Sequence, residues 1–146
     1  MAKRFIDRNN VYSVDMMFAY VNNFKCEVVS LPIEKVLHNL EISGWYEKDI
    51  GEIAPRQVID NPKKYKNQFE KVKNADLKYP IMLWDLDIVD GAHRLSKAVI
   101  EGKKTIKAYQ FSSNLMKKFK IPGTNLNKIN EMQPFEFIDL FVKRFY

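Results

Sequence analysis

In the stretch IVDGAHRLSKA, residues 88 to 98, Asp90, Gly91, His93 and Arg94 stand together where an apolar segment gives way to a helical pattern. Such residues add little to a core, but they suit a place where backbone meets an anion. The first turn of a helix presents unpaired N–H groups and the positive end of the helix dipole, so it attracts phosphate. Gly91 has no Cβ, which lets an oxygen approach the backbone and permits a positive φ. Arg94, in that first turn, can hold a phosphate through a two-pronged hydrogen-bonded contact. His93 can donate to the same phosphate or, when protonated, to a leaving oxygen. Asp90 would be repelled by a phosphate unless a positive group intervened. It can therefore ligate Mg²⁺, act as base toward a hydroxyl, or pair with Arg94; as a simple helix cap it would contribute about 1 kcal/mol.

Other residues offer less. Lys97, on the second turn of the same helix, can reach a phosphate or simply face solvent. His38 has no cysteine or second histidine near it in sequence, which argues against zinc. Trp45, Tyr46 and Trp84 have faces on which a base can stack, although aromatics at such positions are commonly core. The tract KKFKIPGTNLNK, residues 117 to 128, mixes basic and aromatic residues of the kind that hold nucleic acid. The lone Cys26 excludes an internal disulfide and fits a reducing compartment.

The elements that position these residues follow from periodicity. Ser13 precedes Val14, Met17, Phe18 and Val21 at helical spacing. CEVVSL (26–31) reads as a strand, and Pro32 is expected to open a helix striped with Ile33, Val36, Leu37 and Leu40. Residues 50–62 read as a connecting loop with a few extended residues, with Asn61 and Pro62 starting the next helix, whose Tyr65, Phe69 and Val72 face inward. Ile81 to Trp84 and Ile88 to Asp90 form a hairpin around a turn at Asp85 to Asp87. It leads into a helix with Leu95, Ala98 and Val99 buried and Gly102 just past its end. KTIKAYQF alternates as a strand, residues 122–125 form a loop, and Pro134 begins a last helix with Phe137, Ile138, Phe141, Val142 and Phe145 as its apolar face. The expected fold class is α+β.

Composition sets the bounds. A chain of 146 residues with 46% hydrophobic and 29% charged residues is globular and is expected to form one domain, 1–146. No apolar run approaches a membrane span, and the basic N-terminus lacks the apolar stretch of a secretory signal, so a cytoplasmic location is expected (host cytoplasm, if the source is viral). The net charge of +6 is concentrated: residues 93–128 hold nine Lys or Arg against one acid, Glu101. That concentration suits an anionic partner, nucleotide or nucleic acid; a solvated lysine surface is the alternative.

Residues 80–110, PIMLWDLDIVDGAHRLSKAVIEGKKTIKAYQ, resemble the signature half of the ParB/sulfiredoxin-like superfamily. There a Pro-Ile enters a hairpin strand, a Gly-x-His-Arg or Gly-Glu-Arg-Arg element opens a helix, and a strand follows a Gly. Asp90-Gly91-Ala92-His93-Arg94 is nearest the Asp-Gly-His-His-Arg form of the free-serine kinases. VVSLPIEKV and NPKKYKNQFEKVKNADLKYPI are similar to the first strand and the helix before the hairpin, which extends the resemblance over 27–111. It implies a small mixed sheet as a core at 27–111, with a helical N-terminal extension (1–26) and a C-terminal one (112–146). It also implies ATP or CTP with Mg²⁺, phosphates at Gly91, Ala92, His93 and Arg94, and a glutamate, Glu34, acting as in the serine kinases. Arg56 resembles the loop arginine of ParB, with a structural ion pair as the alternative. Ala92 stands where sulfiredoxin keeps its reactive cysteine, so sulfinic-acid reduction is not expected. His93 replaces the first Arg of the ParB element, and no helix-turn-helix pattern comes after the last strand, so a CTP-driven DNA clamp is not expected either.

The resulting expectation is a nucleoside-triphosphate-binding protein, a kinase or NTPase acting on a small hydroxyl substrate or water. The alternatives are a DNA-associated module or ParB-like nuclease using residues 93–128, and a protein that captures a nucleotide without turning it over.

Overall fold

The computed structural model describes residues 3–122 and 134–146, with backbone alone at 134–137, and the chain it shows is α+β. Two compact units form, Met1–Glu27 with Phe111–Tyr146, and Val28–Gln110. No helix among the described residues is long and apolar enough to cross a membrane.

In the unit Val28–Gln110, a four-stranded sheet has the order β3-β8-β6-β7, with β3 at Val28–Pro32, β6 at Ile81–Trp84, β7 at Asp87–Asp90 and β8 at Thr105–Phe111. The alternation in β8 is the alternation of burial: Ile106 and Ala108 point into the core while Thr105 and Lys107 stay exposed. β3 pairs antiparallel with β8, and Pro32, opposite Thr105, ends an edge strand where its missing N–H costs no ladder bond. Ile33, Val36, Leu40, Ile81, Leu83, Leu95, Ala98, Ile106 and Ala108 make one core. A second cluster, Ile53, Val58, Tyr65 and Val72, packs with Trp45 and Phe69. It is built from the β4–β5 hairpin (Trp45–Glu47 and Gly51–Ile53), α2 (Pro55–Asp60) and α3 (Lys66–Asn74).

Several local expectations are corrected. Pro32 closes β3, and the residues after it form two short 3₁₀ turns, Ile33–Lys35 and Leu37–Glu41, rather than an α-helix. The apolar stripe still delivers Ile33, Val36 and Leu40 to the core, because three- and four-residue spacing serves either helix type. Residues 50–62 hold the extended residues expected, as β5, but also a helix that was not expected, α2, which starts with Pro55 in its first turn. α3 begins at Lys66, four residues beyond Pro62, with Tyr65 at its cap position.

The hairpin β6–β7 turns at Asp85 and Leu86, both at positive φ (52° and 65°), a geometry that matches strand twist but suits Asn or Gly better than Leu. Asn39 holds it there. Its Nδ2 donates to Val36 O at 2.9 Å and Leu86 O at 3.0 Å, and its Oδ1 accepts from Ile88 N at 2.9 Å. A buried side chain thus takes over the hydrogen bonding that the turn cannot supply itself.

The other unit contains a hairpin of β1 (Arg4–Asp7) and β2 (Asn10–Ser13), α1 (Val14–Asn23), α5 (Ser113–Phe119) and α6 (Pro134–Phe145). The N-terminal segment is therefore strand and helix rather than helix alone. Ser13 caps α1 as expected, its Oγ accepting from Met16 N at 3.1 Å. Ser112 does the same for α5, a helix the residue pattern did not reveal. Arg144 donates to the carbonyls of Lys118 and Lys120 at the end of α5, and Tyr20, Phe24, Phe119, Phe141 and Phe145 pack against one another in tilted and edge-on pairs. On α6, Phe141 is buried but Ile138 and Val142 are exposed, contrary to the single apolar face expected; the side chain of Phe137 lies outside the described residues, as do residues 123–125 of the loop.

Replacing Asn39 by Ala leaves the Ile88 N–H and the Leu86 carbonyl without their buried partner. The expected loss in urea unfolding is about 2 to 3 kcal/mol with an unchanged m-value.

Candidate functional site

The hairpin enters its helix through a break in register. Met82 faces Asp90 while Leu83 faces Ile88, so Val89 is an extra residue in β7. A bulge bends its strand and re-aims the chain beyond it. Here the chain runs on into Gly91, at φ 117° and ψ 17°, and then into α4 (Ala92–Ile100). A Cβ on Gly91 would lie 2.6 Å from Ile81 Cγ2 and 2.8 Å from Ile81 Cβ. Gly91 is thus required twice, by its left-handed backbone and by the core residue packed against it. The side a Cβ would occupy is filled by Ile81, not left open to a ligand oxygen.

Arg94 lies one turn into α4 and reaches back. Its Nη2 donates to Asp90 Oδ2 at 2.6 Å, and its Nη1 donates to Pro80 O at 2.8 Å and Tyr79 O at 3.3 Å. The pair is mostly shielded, with side-chain exposures of 15% for Arg94 and 21% for Asp90. The planar fork joins both ends of the hairpin to the helix. The guanidinium expected to grip a phosphate makes these internal contacts, and of the three options open to Asp90 the pairing with Arg94 is the one the structure shows.

His93 is held from two sides. Its ring stacks on Trp45 at 4.2 Å between centroids and 7° between planes. Its Nε2 lies 2.7 Å from Gln68 Oε1. Gln68 Nε2 is spent on Tyr46 O at 3.0 Å, so Oε1 is the acceptor and His93 Nε2 carries the proton. In the neutral ring the lone pair is then at Nδ1. The Gln68 backbone N–H donates in turn to Glu47 Oε1 at 3.1 Å. Glu47 is buried, and its carboxylate serves the third residue of α3, a cap that the Tyr65 side chain does not give. Trp45, Glu47 and Gln68 therefore belong to the site. Trp45 is one of the aromatics whose face suits stacking, and it stacks on the imidazole. Glu47 and Gln68 carry no signal in sequence, since their partners are 21 and 25 residues away.

The remaining candidates fall elsewhere. Lys97 Nζ donates to Lys73 O at 2.9 Å and Ala75 O at 2.7 Å, capping the end of α3. Arg56 pairs with Glu41 at 3.1 Å, the structural alternative. Glu34 is exposed on the 3₁₀ turn after β3. His38 pairs with Asp87 at 2.9 Å on the surface. Of the basic tract 93–128, residues 93–110 belong to one unit, 111–122 to the other, and 123–128 lie outside the described residues. Among the described residues no group of three or more His, Cys, Asp or Glu is placed to hold a metal ion. With Arg94 on Asp90 Oδ2, the junction supplies no protein-built cage for Mg²⁺.

Chemically, the arrangement offers the first turn of a helix with no acidic residue in it, a carboxylate already offset by a guanidinium, and an oriented imidazole. Cys26 has a different character: burial, and to a smaller extent Glu27, push its thiol above the ordinary value. It is a poor nucleophile at neutral pH.

Gly91→Ala is expected to cost about 3 kcal/mol in denaturant unfolding, from the strained φ and the Ile81 contact. Gly102→Ala, at φ 71° with open space around it, is expected to cost only about 1 kcal/mol. For Cys26, alkylation by iodoacetamide should stay slow through neutral pH and accelerate only above the pH at which a free thiol does.

No family model, no curated protein and no solved structure matches the chain.

Proposed function

We propose that the start of α4 receives the phosphates of a nucleoside triphosphate, and that the chain is a ParB/sulfiredoxin-like nucleotide-binding protein with a small mixed sheet as its core. The observation that supports this reading is the electrostatic balance at the junction. The amides of Ala92, His93 and Arg94 open a helix whose first turn has no acid. The one carboxylate at its start, Asp90, is neutralised by Arg94 at 2.6 Å. An anion at the helix start is therefore not repelled by Asp90, and the role of Arg94 is positioning and charge compensation rather than direct grip.

His93, braced by Gln68 and Trp45, contacts the phosphate group through Nδ1 once that nitrogen is protonated, since Nε2 already donates to Gln68. Phosphoryl transfer or hydrolysis is the matching reaction class, since it needs placement and charge neutralisation more than covalent help. The acceptor is a small hydroxyl compound or water. Mg²⁺ would enter on the phosphates, keeping several of its waters, because the described residues build no cage for it.

The test is a titration with ATP or CTP and Mg²⁺, followed by amide resonances and thermal unfolding. Shifts concentrated at the amides of residues 91–95 are expected, with stabilisation of about 2.7 kcal/mol at roughly a hundredfold excess over Kd. His93→Ala should lose most of that stabilisation and remain folded, whereas Arg94→Ala should lower stability without ligand. Nucleotide that moves none of those amides would sink the reading. ADP formation in the presence of hydroxyl compounds then separates turnover from capture. Weak dependence on salt separates both from duplex DNA, whose binding collapses between low and moderate salt.

A further inference from the structure

Helix α6 is apolar on more of its circumference than the described residues of its own unit cover. Phe141 is 8% exposed, and Phe145 packs at a tilt against Tyr20 at 5.3 Å and Phe119 at 5.7 Å between centroids. Beside that flank, Ile138 and Val142 fall at i and i+4 and are 61% and 50% exposed; Tyr146, just past the helix at i+8, continues their line and is 77% exposed, although one edge of its ring meets Phe24 and Phe141. Isolated apolar residues on a surface are ordinary; three in line at the helical repeat form a seam.

The other flank of the stripe supplies the second observation. Asp139 and Lys143 lie there one turn apart, a spacing at which such residues commonly pair. Among the described residues the ion pairs are His38–Asp87, Arg56–Glu41, Lys73–Glu70 and Arg94–Asp90, and none uses Asp139 or Lys143. The charged flank therefore has no ion-pair partner among the described residues.

We propose that this stripe is the contact between two copies of the chain, packed antiparallel about a two-fold axis near Val142. In an antiparallel helix pair like flanks face each other, so Asp139 of each copy meets Lys143 of the other, twice over. In a parallel pair the charged flank would face the Phe141 and Phe145 side, which is packed within its own unit, and the charges would stay unmatched. Charge complementarity thus selects a second copy and its direction. Burying the apolar stripe provides the affinity, and exposed ion pairs set the register. Three side chains per copy make a small interface, so the dimer is a reversible one.

Sedimentation equilibrium of the full chain tests this over a concentration series. A monomer–dimer equilibrium is expected, weakened more than about tenfold by Val142→Asp, which buries an unpaired charge in the seam. Asp139→Lys and Lys143→Asp alone should each weaken self-association, with circular dichroism confirming that both remain folded. An equimolar mixture of those two variants should associate again, because one then carries only cations on that flank and the other only carboxylates. A chain that stays monomeric throughout would overturn the proposal, and co-flotation of that monomer with phosphatidylcholine vesicles would assign the stripe to lipid. A dimer indifferent to Val142→Asp would place the contact elsewhere. A mixture that fails to associate would refute the antiparallel arrangement.

Discussion

Arg94 connects three points that would otherwise be separate: the carbonyls of Tyr79 and Pro80 before the hairpin, the carboxylate of Asp90 after it, and the helix that carries the guanidinium itself. A mostly buried cation without partners would be costly, and a mostly buried carboxylate equally so. Here each offsets the other, and the two carbonyls take Nη1 while Asp90 takes Nη2. The bulge at Val89 and the left-handed Gly91 are compatible with this closure, because they turn the chain sharply enough for residue 94 to face residue 80. Ile81 fills the space under Gly91, so the junction is locked by packing as well as by charge.

Around that lock runs a line of polar groups. Glu47 accepts from the start of α3, Gln68 spans from Tyr46 to His93, and His93 lies flat on Trp45. Among the described residues no buried side-chain polar atom is left without a hydrogen bond. The low dielectric of such a site strengthens bonds that are made and penalises any that are not, so the orientation of the imidazole is closely determined.

One device recurs through the molecule. Arg94 donates to carbonyls before β6, Lys97 to carbonyls at the end of α3, and Arg144 to carbonyls at the end of α5. Helix ends and strand approaches leave carbonyls unpaired, and a long cationic side chain satisfies them while complementing the helix dipole. Arg94 and Lys97, whose positions suggested an external anion, here donate to the backbone of their own unit.

Local features were legible in the residues alone: the α+β class, the hairpin at 81–90, the helix opened by Gly91, the Ser13 cap, the Gly102 stop and the strand after it. Each rests on a period of two or of about 3.6, or on a cap or a backbone conformation, and these act over a few residues. Folding in three dimensions then chose which partner each polar side chain takes. Asp90 and Arg94 are four residues apart and their pairing was one of the options open to them. Glu47, Gln68 and His93 meet from three different elements, and no spacing in the chain encodes their contact. The 3₁₀ turns after Pro32 and the exposed stripe on α6 were likewise out of reach. A hydrophobic period says which residues align, but not which helix type they form or how many of them their own chain covers.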